Sequence, residues 1–194
     1  QIYNSVEKLK NDFEEKLRIA DVYENLKKTA NGEIVSDNSK ITFERYIMGS
    51  YFEQVLYYAN LRFSKMTGGR YEIVRGESRD KRISAGLEIS VRDNFNNKER
   101  DISSLSGGES FQASLALALG LSDIIQQRNG GIRLDSIFID EGFGSLDNDS
   151  LASAIETLND LTGNGNRLVG IISHISELKN SIGNKIEVVG TKSG

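Results

Sequence analysis

The chain has no cysteine and no proline, and only one histidine, His174, among its 194 residues. Without cysteine it forms no disulfide and no thiolate metal site, which fits a reducing compartment. Without proline it lacks the residue that breaks helix interiors, so it suits long helices better than a loop-rich fold. No apolar stretch is long enough to span a bilayer, and no secretory leader opens the chain. The formal net charge is only −4. That argues against a polybasic nucleic-acid binder, while leaving room for a local basic patch.

What is present is enough for one domain with an appendage: 38% apolar and 27% charged residues. The chain begins at Gln1 rather than Met, so it reads as a piece of a longer protein. In the first thirty residues, Ile2, Val6, Leu9, Phe13, Leu17 and Ala20 recur in steps of three and four. This stripe fits either the end of a coiled-coil arm or an amphipathic surface helix, and periodicity alone weighs the two equally. Asn31-Gly32 ends that helix. A second helix is predicted from Thr42 to Lys65, its aromatic residues read as core packing, and Gly68-Gly69 ends it. Tyr71 to Arg75 and Leu87 to Val91 alternate as strands of a β-meander, with the charged Arg79-Asp80-Lys81-Arg82 between them.

The informative stretch is 103–147. Ser136-Ile137-Phe138-Ile139 is a short apolar run, read as a buried parallel-type strand, and it ends in Asp140-Glu141. Ligands of open α/β sheets bind beyond the carboxyl ends of strands. An acid pair there suits a hydrated Mg²⁺ and a water aimed at a phosphoryl group. Ser106-Gly107-Gly108 precedes a long apolar helix from Glu109 to about Gln127. Amides at such a helix start form an anion site, although a capping Ser with two glycines reads the same way. After the strand, a helix from Asp149 to Leu161, a turn at 163–166 and a strand Arg167–Ile172 imply a right-handed parallel crossover. Both strands then end on one sheet edge, which places His174 beside Asp140 and Glu141. A short helix from Ser176 and a last strand from Lys185 to Val189 complete the reading.

Together these pieces resemble ABC-type ATPases. Leu105 to Glu109 matches their signature motif, Ile137 to Glu141 the Walker B strand, Ser145-Leu146-Asp147 the D-loop and Ser173-His174 the switch histidine. Lys65 to Tyr71, Gly108 to Asp123 and Asp135 to Asp147 look like the carboxyl-terminal ATPase half of the SbcC family, whose members are large subunits of bacterial DNA double-strand-break exonucleases. The likeness runs from about residue 40 to the end.

The resemblance implies an α/β carboxyl-terminal lobe of an ABC-type head over 61–194, with coiled-coil base helices over 1–60. It also tips the first helix toward an arm. No Gly-x-x-x-x-Gly-Lys-Ser/Thr loop occurs in the chain, and in this family that loop lies in an amino-terminal half. By resemblance, Asp140 holds Mg²⁺ through water, Glu141 polarises the attacking water and His174 meets the γ-phosphate. Ser106, Gly107, Gly108 and Glu109 bind ATP held by an opposing head, and Asp147 orders water across that interface. The implied partners are the Walker A half of the same protein, a second head, the nuclease SbcD and, for the whole complex, DNA ends. The implied setting is the bacterial cytoplasm, at the nucleoid. Two rivals remain: a structural, DNA-tethering SMC-class head with no nuclease partner, and a phosphoesterase using Asp140 and Glu141 directly, which needs further ligands.

Overall fold

The computed structural model describes residues 2–33, 42–76, 87–128, 134–165 and 167–188. The chain divides into two units, Gln1–Glu53 with Arg75–Glu88, and Gln54–Val74 with Ile89–Gly194. The division falls within the second helix.

The first unit holds α1 (Ile2–Ala30) and the start of α2 (Phe43–Met66). Lys10–Glu14 and Glu24–Lys28 pair at i,i+4, each at 3.8 Å, worth a few tenths of a kcal/mol apiece. The α1 chain stops where the amides of Asn31 and Gly32 fold back on the carbonyls of Lys27 and Thr29. No residue of α1 is buried, and its stripe from Ile2 to Leu17 lies open. Phe43, Tyr46 and Tyr51 of α2 are exposed as well, and so is Leu61, so the core packing expected for α2 holds only for one face of its second half.

In the second unit, Val55, Leu56, Ala59, Phe63 and Met66 of α2 are buried. Their steps of three and four put one helical face inside. The helix closes when the Gly69 amide donates to the Ser64 carbonyl at 2.7 Å. The strands β1 (Tyr71–Arg75), β2 (Ile89–Asp93) and β3 (Lys98–Asp101) then lie side by side in chain order, as a meander should. The second strand runs two residues beyond the alternation that predicts it. The third, Lys-Glu-Arg-Asp, has no apolar alternation at all, and antiparallel pairing with β2 defines it. The basic segment 79–82 lies outside the described residues.

The long α3 (Gly107–Arg128) buries Ala113, Leu115, Ala116, Leu119 and Ile124, and α4 (Asn148–Gly165) buries Leu151, Ala154, Leu158 and Leu161. Each fully buried large side chain contributes about 1.5–3 kcal/mol. Among these helices Asp123 joins two cations, Arg62 at 2.7 Å and Arg167 at 3.0 Å.

Next come β4 (Ser136–Asp140) and β5 (Leu168–Ile172), which pair in parallel with Ser136 opposite Leu168 and Asp140 opposite Ile172, and then α5 (Ser176–Ser181). Three expectations need correction. These strands are not fully buried: Phe138 is 72% exposed, and Leu168 and Ile172 also face outward. Alternate residues of each strand lack a covering layer among the described residues. The turn expected at 163–166 does not form over 163–165, where the helix runs on through Gly165, and Asn166 lies outside the described residues. The strand expected from Lys185 to Val189 does not form over 185–188, where Ile186 is 95% exposed and, among the described residues, no neighbouring strand offers a ladder. Val189 lies outside the described residues.

Candidate functional site

The parallel register of β4 and β5 releases the chain from both strands at one edge. There the Glu141 amide donates to the Ile172 carbonyl at 2.9 Å, extending the ladder by one bond. Glu141 itself adopts φ +58°, a left-handed conformation that non-glycine residues rarely take and that costs on the order of 1–3 kcal/mol. Across the edge, Nδ1 of His174 lies 3.0 Å from Oε2 of Glu141 and 3.2 Å from Oε1. His174 follows β5 in a loop whose Ser173 hydroxyl accepts from the Ile175 amide. Asp140, the last residue of β4, is exposed at the same edge. The structure thus places Asp140, Glu141 and His174 on one sheet edge, as the crossover argument requires, with Glu141 and His174 in contact.

Gly142, at φ +97°, reverses the chain into a 3-10 turn, Phe143–Ser145. A side chain at 142 would collide with the ring of Phe111, whose Cδ2 lies 2.6 Å from the Cβ position. The turn is stapled by Ser145 Oγ donating to the Gly142 carbonyl at 3.2 Å. Asp147 then caps the start of α4. Its Oδ1 accepts from the Ser150 amide at 2.7 Å, and that bond, with a further one from the Ser150 side chain, holds its carboxyl below the usual Asp range.

The Ser-Gly-Gly segment rests against this turn. A Cβ on Gly108 would lie 2.9 Å from the Ser145 carbonyl oxygen, and one on Gly107 would lie 3.4 Å from Ser145 Cβ. Close approach of two backbones, as well as any ligand, therefore calls for glycine at 108. Both glycines belong to the first turn of α3, two residues before the predicted start. Ser106 caps it. Its Oγ accepts from the Glu109 amide at 3.3 Å, and Glu109 Oε2 accepts from the Ser106 amide at 2.9 Å. This reciprocal capping box satisfies two helix-end donors.

The Glu109 carboxylate is thus turned toward its own loop. Partial burial pushes its pKa up, but the amide of Ser106, the hydroxyls of Tyr71 and Ser106, and Arg100 outweigh that and leave it below the usual Glu range. Burial, then the bond to Glu109, push the Tyr71 phenol up. Arg100 sits 5.3 Å above the Tyr71 ring and donates to the Ser104 carbonyl at 2.8 Å. Tyr71, Arg100, Phe111 and Gly142 escape sequence reasoning because the contacts they make exist only once the chain is folded. Only Gly142, a glycine directly after the acid pair, leaves a local signal.

Magnesium fits this edge in one manner only. Among the described residues no three His, Asp or Glu gather around a common point. Mg²⁺ is commonly held by one or two carboxylates, water and substrate phosphates. Asp140, exposed at a strand end, can be such a carboxylate.

Comparison with known proteins places these features in context. The SbcC/RAD50-like, Walker B motif family matches residues 77–160. The chain is 55% identical over 153 residues to the SbcC protein of nuclease SbcCD from Staphylococcus epidermidis strain RP62A, covering 79% of this chain and 15% of that protein. It is 54% identical over 158 residues to the SbcC protein of the same nuclease from Staphylococcus aureus strain JH9, covering 80% of this chain and 16% of that one. The chain therefore spans about a sixth of the length of these relatives. In fold it is similar to a structure described under ATP-driven dimerization and DNA stimulated activation of SMC ATPases, with a TM-score of 0.58 and 16% identity over 76% of this chain and 84% of that one. It is also similar to an SMC head bound to the C-winged helix domain of ScpA, with a TM-score of 0.51 and 18% identity over 74% of this chain and 41% of that one. The fold is that of an α/β ATPase head lobe.

Proposed function

This chain is a member of the SbcC/RAD50-like ATPase family, and we propose that it is the carboxyl-terminal half of a split ATP-hydrolysing head in a DNA double-strand-break exonuclease complex. The observation that carries the reading is the juxtaposition of Glu141 and His174 at 3.0 Å on the edge where β4 and β5 both end. The phosphate-cradling loop is supplied by an amino-terminal half of the same protein, since no such sequence occurs here. That half and 61–194 form the head, and 1–60 form the base of a coiled-coil arm.

In this reading Asp140 is the carboxylate that would hold Mg²⁺ through water, and the bound ion would supply positive charge beside the phosphates. Glu141 takes the proton from the attacking water. His174 orients the Glu141 carboxylate through Nδ1 and turns its other ring nitrogen to the γ-phosphate. Ser106 offers its hydroxyl, and Gly107 and Gly108 their helix-start amides, to the γ-phosphate of a nucleotide on a second head. Glu109 shapes that loop through its capping box. Asp147, which caps α4, orders water where the heads meet. ATP then closes two heads and hydrolysis parts them. SbcD is the expected nuclease partner, and DNA ends are the substrate of the whole complex. A structural SMC-class head shares this fold, but the 55% identity with a nuclease component favours the exonuclease reading.

The test joins this chain to its amino-terminal half. The chain alone should bind no ATP at micromolar concentration by calorimetry, and the joined head should hydrolyse it. Glu141→Gln should slow turnover about 10²- to 10⁴-fold with binding kept, because the amide preserves shape without basicity. Tight ATP binding by the lone chain, or normal turnover in Glu141→Gln, would sink the reading.

A further inference from the structure

We propose that Phe111 is a positioning residue for hydrolysis, a ring that locks the left-handed turn carrying Glu141. The inference rests on the reading of Glu141 as the general base.

Two non-glycine residues have positive φ among the described residues, Asn97 and Glu141. Asn97 lies in the β2–β3 turn, and asparagine tolerates that region. Glutamate does not, so Glu141 must be held there by its surroundings. Its amide is fixed by the Ile172 carbonyl at 2.9 Å. The next residue, Gly142, also has positive φ, and the Phe111 ring occupies the space a Cβ would need. Beyond it Phe143, only 1% exposed, packs against Phe111 in a tilted arrangement, with ring centroids 4.7 Å apart and planes at 60°. The Phe111 ring therefore covers Gly142 and braces Phe143, and the turn between them has no room to relax.

Phe111 itself is only half-buried. A ring serving the core alone would sit as deep as Phe143 does. Phe111 also lies one turn beyond Gly107 and Gly108 on α3. The helix that offers its start to one nucleotide thus carries the ring that sets the base for another. Movement of the α3 start, which already touches Ser145 through Gly108, is passed to Glu141 without any side chain reaching the nucleotide.

The test is a double-substitution cycle in the full-length protein. Phe111→Leu, Phe111→Ala and Phe111→Tyr are measured with Glu141 and in the Glu141→Gln background, following kcat, KM for ATP and the thermal midpoint. Misplacing a reacting group by about 1 Å costs up to about 10²-fold, so Phe111→Leu and Phe111→Ala should lower kcat about 10- to 100-fold with KM unchanged. Phe111→Tyr should retain most of the rate. In Glu141→Gln the same substitutions should cost nothing further, because the group they misplace no longer acts. An equal loss in both backgrounds would make Phe111 a packing residue and overturn the proposal, leaving the ATPase reading intact. Normal turnover in Glu141→Gln alone would overturn the base assignment, and the positioning role with it. Should Phe111→Ala fail to fold, Phe111→Leu, of similar bulk, carries the cycle. Amide exchange at 141–143 should be faster in Phe111→Leu, and unchanged exchange would overturn the lock.

Discussion

His174 and Glu141, 33 residues apart in sequence, meet through one imidazole nitrogen 3.0 Å from one carboxylate oxygen. The contact is made by the parallel crossover, which brings the ends of two strands to the same edge. His174 is 81% exposed on its side chain and supports no core. His174→Ala should therefore leave the thermal midpoint unchanged and lower head turnover about 10²-fold, as loss of a group that orients a base does. Steady-state turnover beside a melting curve checks both halves.

Ser106→Arg separates an anion site from a helix cap. Each head's own phosphate loop is untouched, so ATP binding to one head should persist. The bulky side chain fills the approach to the α3 start, and ATP-driven dimerisation and hydrolysis should both vanish. A cap role alone would cost about 1 kcal/mol of stability with function kept. Sedimentation with and without ATP reads the difference.

Gly108→Val should destabilise the chain itself. The new Cβ would lie 2.9 Å from the Ser145 carbonyl oxygen, a backbone atom with no rotamer to yield. Overpacking of this kind costs about 1–3 kcal/mol. Urea unfolding should show a lower midpoint with an unchanged slope, whereas Gly163→Val, where a Cβ meets nothing within 4 Å, should not repeat it.

Asp123→Asn should cost more than Lys65→Ala. Asp123 serves Arg62 and Arg167 together, and all three side chains are at most 20% exposed. Removing its charge leaves two guanidiniums without an anion, a loss of about 2–3 kcal/mol, below the 3–5 typical of deep burial. Lys65 reaches Glu156 and Asp160 from the surface, where solvent screening leaves such pairs with little effect on stability. Denaturant midpoints of the two variants rank them.

Acid should unfold the chain partly through Glu109 and Asp147, whose folded-state pKa values lie below their ordinary ones of 4.5 and 3.8. A depressed carboxylate stabilises the fold fully above its unfolded pKa and ceases to as pH falls through the folded value. Stability should therefore decline from about pH 5 downward, and Glu109→Gln and Asp147→Asn should each flatten that decline. Parallel slopes for variant and parent below pH 5 would contradict the capping geometry.

The sequence by itself determined the helices, the strand that runs into the Asp140-Glu141 pair, the order of the Ser-Gly-Gly, acid-pair, Ser-Leu-Asp and histidine segments, and the sheet edge that His174 would reach. These are legible because periods of two and 3.6, glycine punctuation and the crossover rule act over short spans or follow from chain direction. Tertiary structure alone decided the rest. The strand β3 exists because β2 offers it a ladder, while 185–188 has the apolar alternation of a strand and no ladder to join among the described residues. The strands β4 and β5 read as fully buried, yet Phe138 is open, because burial depends on what packs against a face and not on the residues within it. The left-handed turn at Glu141, the ring of Phe111 over Gly142 and the hold of Tyr71 on the Ser106 loop come from elements tens of residues apart. No local pattern encodes such contacts, since each arises only when two backbones are brought within a few ångströms.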